Sequence, residues 1–119
     1  MPLDQPVVQE DWQSPALLNS WVNFGSVYNP VGYWRDSVGV VHLRGVIRSG
    51  TFRATIFTLP AGYRPALEEA QLTWCISSAM GYQVARVDIS AAGEVICVQA
   101  ASSGTTTALF LDGMTFRAA

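Results

Sequence analysis

The sequence predicts an all-β domain: an antiparallel β-sandwich of jelly-roll-like type, or a barrel, with at most one short helix. Three observations lead there. Apolar and polar residues alternate with a period of two along several short runs. Turn signals such as Ser49-Gly50, Ala92-Gly93 and Asp112-Gly113 recur between those runs. Helical chemistry is confined to one stretch, residues 65–70, where Pro65 suits a first helical position and Glu68 and Glu69 suit a first turn.

Taken in order, residues 1–10 read as a flexible lead-in, since Pro2 and Pro6 block regular structure. A single domain is expected over residues 11–119. From Asp11 to Trp34 the chain is aromatic and rich in Asn, Gly and Pro, which implies short extended pieces joined by turns. Residues 38–48 form the clearest strand. Val41, Leu43, Gly45 and Ile47 define one face, and His42, Arg44 and Arg48 the wet face opposite. Gly45 within it implies a bulge, or close packing of a neighbour such as an aromatic ring. Residues 52–59 are a second strand, stopped by Pro60-Ala61-Gly62. Further strands are expected at 72–77, 82–89 and 94–99, the last two as a hairpin through Ala92-Gly93. In 82–89, Ala85, Val87 and Ile89 share one face, with Arg86 and Asp88 on the other. Residues 101–107 read as a small polar loop. Strands at 108–111 and 114–117 flank Asp112-Gly113, a hairpin dipeptide.

Composition excludes several classes. The 119 residues suit one domain, 50% are hydrophobic, and only 13% are charged, which argues against disorder. All the basic residues are Arg, and the net charge of −2 offers no footprint for nucleic acid. The longest uncharged run, residues 12–34, holds too many Asn, Ser, Gly and Pro residues to insert in a bilayer. No secretory signal is visible at the start. The chain therefore reads as soluble and made in a cytoplasm. Its sparse charge implies that some surface is covered by copies of itself.

Catalytic chemistry finds no support. His42, the only His, has no nucleophile elbow or Cys-Gly context around it. Glu68 and Glu69 point apart, and no carboxylate pair suits glycoside hydrolysis. Cys75 and Cys97 lie in strands without a Cys-His cluster, so they read as small buried thiols; whether they bond is open from sequence. No cofactor and no metal are expected. Arg44 and Arg48 share a strand face, with Arg53 just beyond the turn. They have two readings. One is a cationic patch for an anionic polymer such as a phosphate-bearing cell-wall glycan. The plainer one, which we prefer, is cross-strand pairing with Asp88 or Glu94, or an oligomer contact. The aromatics Trp12, Trp21, Tyr28, Tyr33, Trp34, Trp74 and Tyr82 suit core and interface burial, and one or more could stack on a sugar. Trp34, Tyr82, Arg44 and Arg48 are the candidate ligand contacts.

Three pieces of the chain together resemble a known module. The first is Leu17-Leu18-Asn19-Ser20-Trp21-Val22-Asn23-Phe24 with Val31-Gly32-Tyr33-Trp34-Arg35-Asp36 and Gly39-Val40-Val41-His42-Leu43-Arg44-Gly45-Val46. The second is Ile56-Phe57-Thr58-Leu59-Pro60-Ala61-Gly62-Tyr63-Arg64-Pro65. The third joins Arg86-Val87-Asp88-Ile89, Gly93-Glu94-Val95 and Leu111-Asp112-Gly113-Met114-Thr115-Phe116-Arg117. Over about residues 12–117 this resembles the C-terminal, receptor-binding tip domains of bacteriophage tail fibre and minor tail proteins, especially of phages of high-GC Gram-positive bacteria. The Lys-free basic set is compatible with high-GC coding. The resemblance implies a homotrimeric β-sandwich in the virion, at a fibre or tail tip. Its implied partners are other tail proteins and a bacterial surface polysaccharide or wall glycopolymer, with no catalytic residue. The other role considered is a trimerising cap or decoration domain without a ligand. A shaft ordinarily precedes such a domain, and almost none precedes it here. The chain is thus expected to be an excised domain, a stand-alone tip protein or a reused module.

Overall fold

A computed structural model describes residues 9–78, 81–100 and 106–119. Among them ten strands and no helix occur: β1 Val22–Asn23, β2 Gly32–Arg35, β3 Val40–Arg44, β4 Val46–Arg48, β5 Thr55–Thr58, β6 Glu69–Ser77, β7 Gly81–Ile89, β8 Glu94–Gln99, β9 Thr106–Phe110 and β10 Thr115–Arg117. They form two antiparallel sheets. The larger has the order β1-β4-β9-β6-β7-β8-β5, and the smaller has β10-β3-β2.

The sheets share one hydrophobic core. Tyr33, Val41, Leu43 and Phe116 reach it from the small sheet, and Ile47, Ile56, Phe57, Val87, Ile89, Val95 and Leu109 from the large one. Phe57 is fully buried, and the Tyr33 ring lies parallel to it at 6.4 Å between centroids. The β7–β8 hairpin closes through Ala92-Gly93 as expected, with the Gly93 N–H donating to the Ser90 carbonyl at 2.8 Å.

Five expectations need correction. Residues 38–48 are not one strand. The chain leaves the small sheet after Arg44, turns at Gly45 with φ +119°, and enters the large sheet at Val46. Val46 and Ile47 are then both buried, which breaks the alternation. The close neighbour of Gly45 is not an aromatic ring but the Val31 backbone; a Cβ on Gly45 would sit 2.6 Å from the Val31 Cα. Residues 65–70 do not form a helix. So short a helix must meet its nucleation cost with almost no internal bonds, whereas Glu69 and Ala70 pair with Ile89 and Asp88. Asp112-Gly113 does not close a hairpin either. It carries the chain from β9 in the large sheet to β10 in the small one, and the Asp112 carboxylate accepts the Gly45 N–H at 2.6 Å. The two sheet-crossing points are thus tied to each other. Finally, Asp88 and Glu94 do not pair with Arg44, Arg48 or Arg53. Asp88 takes both its guanidinium bonds from Arg86, and Glu94 accepts from the Thr55 hydroxyl.

The expected polar loop at 101–107 lies mostly outside the described residues, with β9 beginning at Thr106. The first eight residues of the lead-in lie outside them too. Among the described residues no helix is long and apolar enough to cross a membrane.

Candidate functional site

The outer face of the small sheet carries an unusual row of side chains. The β2–β3 register sets Trp34 opposite His42 and Gly32 opposite Arg44. Side chains alternate across a strand, so with Tyr33, Val41 and Leu43 turned into the core, Trp34, His42 and Arg44 point outward together. The Trp34 and His42 rings stack at 4.7 Å and 13°. His42 Nε2 is 2.8 Å from the Asp36 carboxylate. The same carboxylate accepts the N–H groups of Val38 and Val40. The His42 bond, with the Val40 N–H next, holds the Asp36 carboxyl below its ordinary range. Asp36 therefore fixes the edge of the His42 ring against the indole.

Trp12 completes the row from outside the sheet. Its ring meets Trp34 edge-on at 6.2 Å, and the Arg44 guanidinium lies 4.3 Å above the Trp12 ring centroid. Gly32 makes this possible, because a Cβ there would stand 3.3 Å from both Trp12 and Arg44. A bridge between Gln13 and Tyr33 anchors the segment, with the Gln13 N–H donating to the Tyr33 carbonyl at 2.8 Å. Glu10 fastens it further: its carboxylate accepts the Tyr63 hydroxyl at 2.7 Å and the Arg35 N–H at 2.6 Å. The Tyr63 bond holds the Glu10 carboxyl below its ordinary range and raises the phenol above its own.

Arg44 has an incomplete set of partners. Its Nε is shielded from solvent and unbonded, and among the described residues the ion pairs are His42–Asp36 and Arg86–Asp88 only. A cation over the Trp12 indole without a carboxylate is chemically able to hold an anionic group, and indole surface is able to pack on an apolar sugar face.

The four candidate ligand contacts do not form one site. Trp34 and Arg44 share the row just described. Arg48 ends β4 in the other sheet, exposed, with its guanidinium on the Ser49 hydroxyl at 3.3 Å. Tyr82 stands on the outer face of the large sheet, 70% exposed, beside Trp74 at 57%. Those two and Phe110 line an open depression of about 430 Å³. Residue type alone put Trp12 among the aromatics able to stack on a sugar without singling it out, and left His42 out of the ligand contacts. Nothing local in the sequence joins Trp12 to Arg44; the one available signal was Gly32, a residue without a side chain facing a long one.

The side-chain partner given by the geometry of His42 is Asp36. Cys75 and Cys97 are free and buried, and burial pushes the Cys97 thiol up to about 12. They lie in β6 and β8 of one sheet, with β7 between them. No group of three or more His, Cys, Asp and Glu able to hold a metal occurs among the described residues.

No protein-family model matches the sequence. No curated protein matches it. Among solved structures the chain is similar to the receptor binding protein (gp15) of Listeria phage PSA, with a TM-score of 0.73 and 17% sequence identity, over 95% of this chain and 67% of that one. The likeness is one of fold, and it extends across both sheets.

Proposed function

We propose that this chain is a phage tail-tip domain that attaches the virion to a bacterial surface, binding glycan as a homotrimer and catalysing nothing. The observation that carries this reading is the shared fold with a phage receptor binding protein over nearly the whole chain. Its residues 11–119 act as one domain, held in the virion by other tail proteins, with no cofactor required. The Trp12–Trp34–His42 row with Arg44 is the glycan contact. Indole faces stack on the apolar face of a sugar ring, and Arg44 meets a carboxylate or phosphate on the polymer. Each contact is weak, and three tethered copies raise avidity through effective concentration. Tyr82 and Arg48 stand away from this row and serve as secondary contacts at most.

The test is binding of the purified chain to candidate host cells with and without their surface glycans. Binding that depends on the glycan, and that falls at least tenfold in Trp12→Ala and Arg44→Gln variants of unchanged thermal stability, is the expected result. Glycan-independent binding would remove the ligand class. No binding to any host, with the oligomer intact, would favour the structural cap instead. Turnover of a cell-wall polymer would overturn the non-catalytic reading.

A further inference from the structure

The β6–β7 hairpin carries large apolar side chains on its outer face, unlike an ordinary surface sheet. In β6 the inward residues are Thr73, Cys75 and Ser77, while Leu72 and Trp74 face outward and Ile76 is half-buried. In β7, Ala85 and Val87 point inward, yet Tyr82 and Val84 also face outward. The register places Trp74 opposite Val84, Ile76 opposite Tyr82 and Leu72 opposite Arg86, so these side chains form one contiguous patch. Leu72 is 75% and Val84 53% exposed. An antiparallel sheet with one wet face normally keeps its large apolar residues on the other. A strand apolar on both faces is one that is covered on both.

We infer that the outer face of the β6–β7 hairpin is the contact surface between copies of this chain. The inference rests on the oligomeric part of the proposed function and adds to it the face that is buried. Three observations favour a second copy over other occupants. The first is area. Leu72, Trp74, Tyr82 and Val84 together expose roughly 500 Å², taking aromatic side chains at about 150–250 Å² each. That lies within the range of a monomer's largest apolar patch, about 300–600 Å² and often functional, and is over half of one subunit's share of a standard interface, about 800 Å².

The second is charge. Arg86 is the cation at this patch, and Asp88 on the same strand neutralises it through two bonds of 2.8 and 3.0 Å. A neutral patch can meet its own copy around a symmetry axis without like-charge repulsion. A membrane surface would call for an unpaired basic rim, and the chain has no Lys at all. The third is polarity. Among the described residues the depression on this face is lined by Trp74, Tyr82 and Phe110, whose side-chain polar groups are the Trp74 indole N–H and the Tyr82 hydroxyl. A sugar would lose its hydration there and regain few hydrogen bonds. Apolar side chains from a neighbouring copy incur no such cost.

The experiment is sedimentation of the full 119-residue chain at micromolar concentration, for the wild type and for Leu72→Glu and Val84→Arg. Both positions are solvent-facing in one copy, so the variants are expected to keep wild-type circular dichroism. The expected result is a wild-type mass of about three times 12.9 kDa that falls to a single chain's mass in both variants. A wild type that is oligomeric, with both variants remaining so, overturns the assignment of this face and leaves the oligomer standing. A monomeric wild type overturns the assignment and the oligomer together, while glycan-dependent binding to host cells still decides the attachment role separately. Should one variant unfold, the other decides; Trp74→Gln, which adds no charge, serves as the third.

Discussion

Gly45 is the position at which a single methyl group should do most harm. It has φ +119°, and a Cβ there would lie 2.6 Å from the Val31 Cα, 2.8 Å from the Val31 nitrogen and 3.0 Å from the Pro30 carbonyl carbon. Favourable carbon contacts begin near 3.5 Å, and the obstructing atoms are backbone, which cannot rotate aside. Gly45→Ala therefore carries two costs. Holding an L-residue in a glycine-only backbone region costs about 1–3 kcal/mol. Forcing the crossing apart costs about 1–3 kcal/mol more, as other overpacked sites do. The sum, centred near 4 kcal/mol, is a large part of the ~5–15 kcal/mol that holds a domain together. At this chain length about 4 °C of melting temperature goes with each kcal/mol, so a fall of roughly 15 °C is expected.

Gly113→Ala is the control. Gly113 also has positive φ, at +83°, but a Cβ there meets nothing within 4 Å. It should bear only the dihedral cost of about 1–2 kcal/mol. Thermal and urea unfolding of both variants, at one fixed protein concentration because association shifts apparent stability, separates the contributions. A Gly45→Ala variant no less stable than Gly113→Ala would refute the argument that the crossing is closed by backbone contact.

Three further outcomes are expected. Asp112→Ala strips the Gly45 N–H of its acceptor and should cost about 1–3 kcal/mol; because both residues serve one crossing, a double mutant with Gly45→Ala should lose less than the two separate losses combined, as measured by a urea-unfolding cycle. Glu10 and Asp36 have carboxyls held low, by the Tyr63 hydroxyl and by His42 respectively, so their contribution is complete above the ordinary carboxylate range and is lost as pH falls through the folded-state values; the melting temperature should hold steady down to about pH 5, decline below about pH 4, and decline less steeply in Asp36→Asn. Buried Cys75 and Cys97, the latter pushed up to about 12, should resist a thiol reagent in the native protein at pH 8 and both react in denaturant; rapid native labelling would place a thiol at the surface.

What the sequence could reveal followed from the range of its signals. The strand at 94–99 matches β8 at both ends, because alternation and an adjacent Ala92-Gly93 turn are both local. The strand at 82–89 differs from β7 by one residue. The break at Gly45 was masked because His42 and Arg44 before it and Arg48 beyond it share one parity, with only the apolar Val46 out of pattern. Only the approach of Val31 from another loop shows that the chain changes sheets there. Asp112-Gly113 has the right residues for a tight turn, but a turn dipeptide does not encode whether its flanking strands pair or part. The row on the small sheet was half legible. Trp34 and Arg44 stood out by type, whereas Trp12 joins them from 22 and 32 residues away across a glycine. The β6 face was the hardest to foresee. Leu72 and Trp74 would ordinarily be assigned inward, and only the register with β7 and β9 turns them out.

These two outer faces account for the low charge in different ways. At the β6–β7 patch of the large sheet, the one cation, Arg86, is neutralised by Asp88 within its own strand. On the small sheet, a cation is present but under-compensated. Arg44 Nε is shielded and unbonded, and a polar group removed from water without a partner costs about 1–3 kcal/mol on mutational scales. The stacking of its guanidinium on Trp12 returns about 0.5–2 kcal/mol, so the position roughly breaks even. An aliphatic residue against the same indole would avoid the desolvation and keep the packing. Stability alone therefore gives little reason for an arginine at position 44. A partly exposed guanidinium already oriented over an indole costs an incoming carboxylate or phosphate little reorganisation. That asymmetry is the physical ground for proposing the ligand contact on the small sheet and the self-contact on the large one.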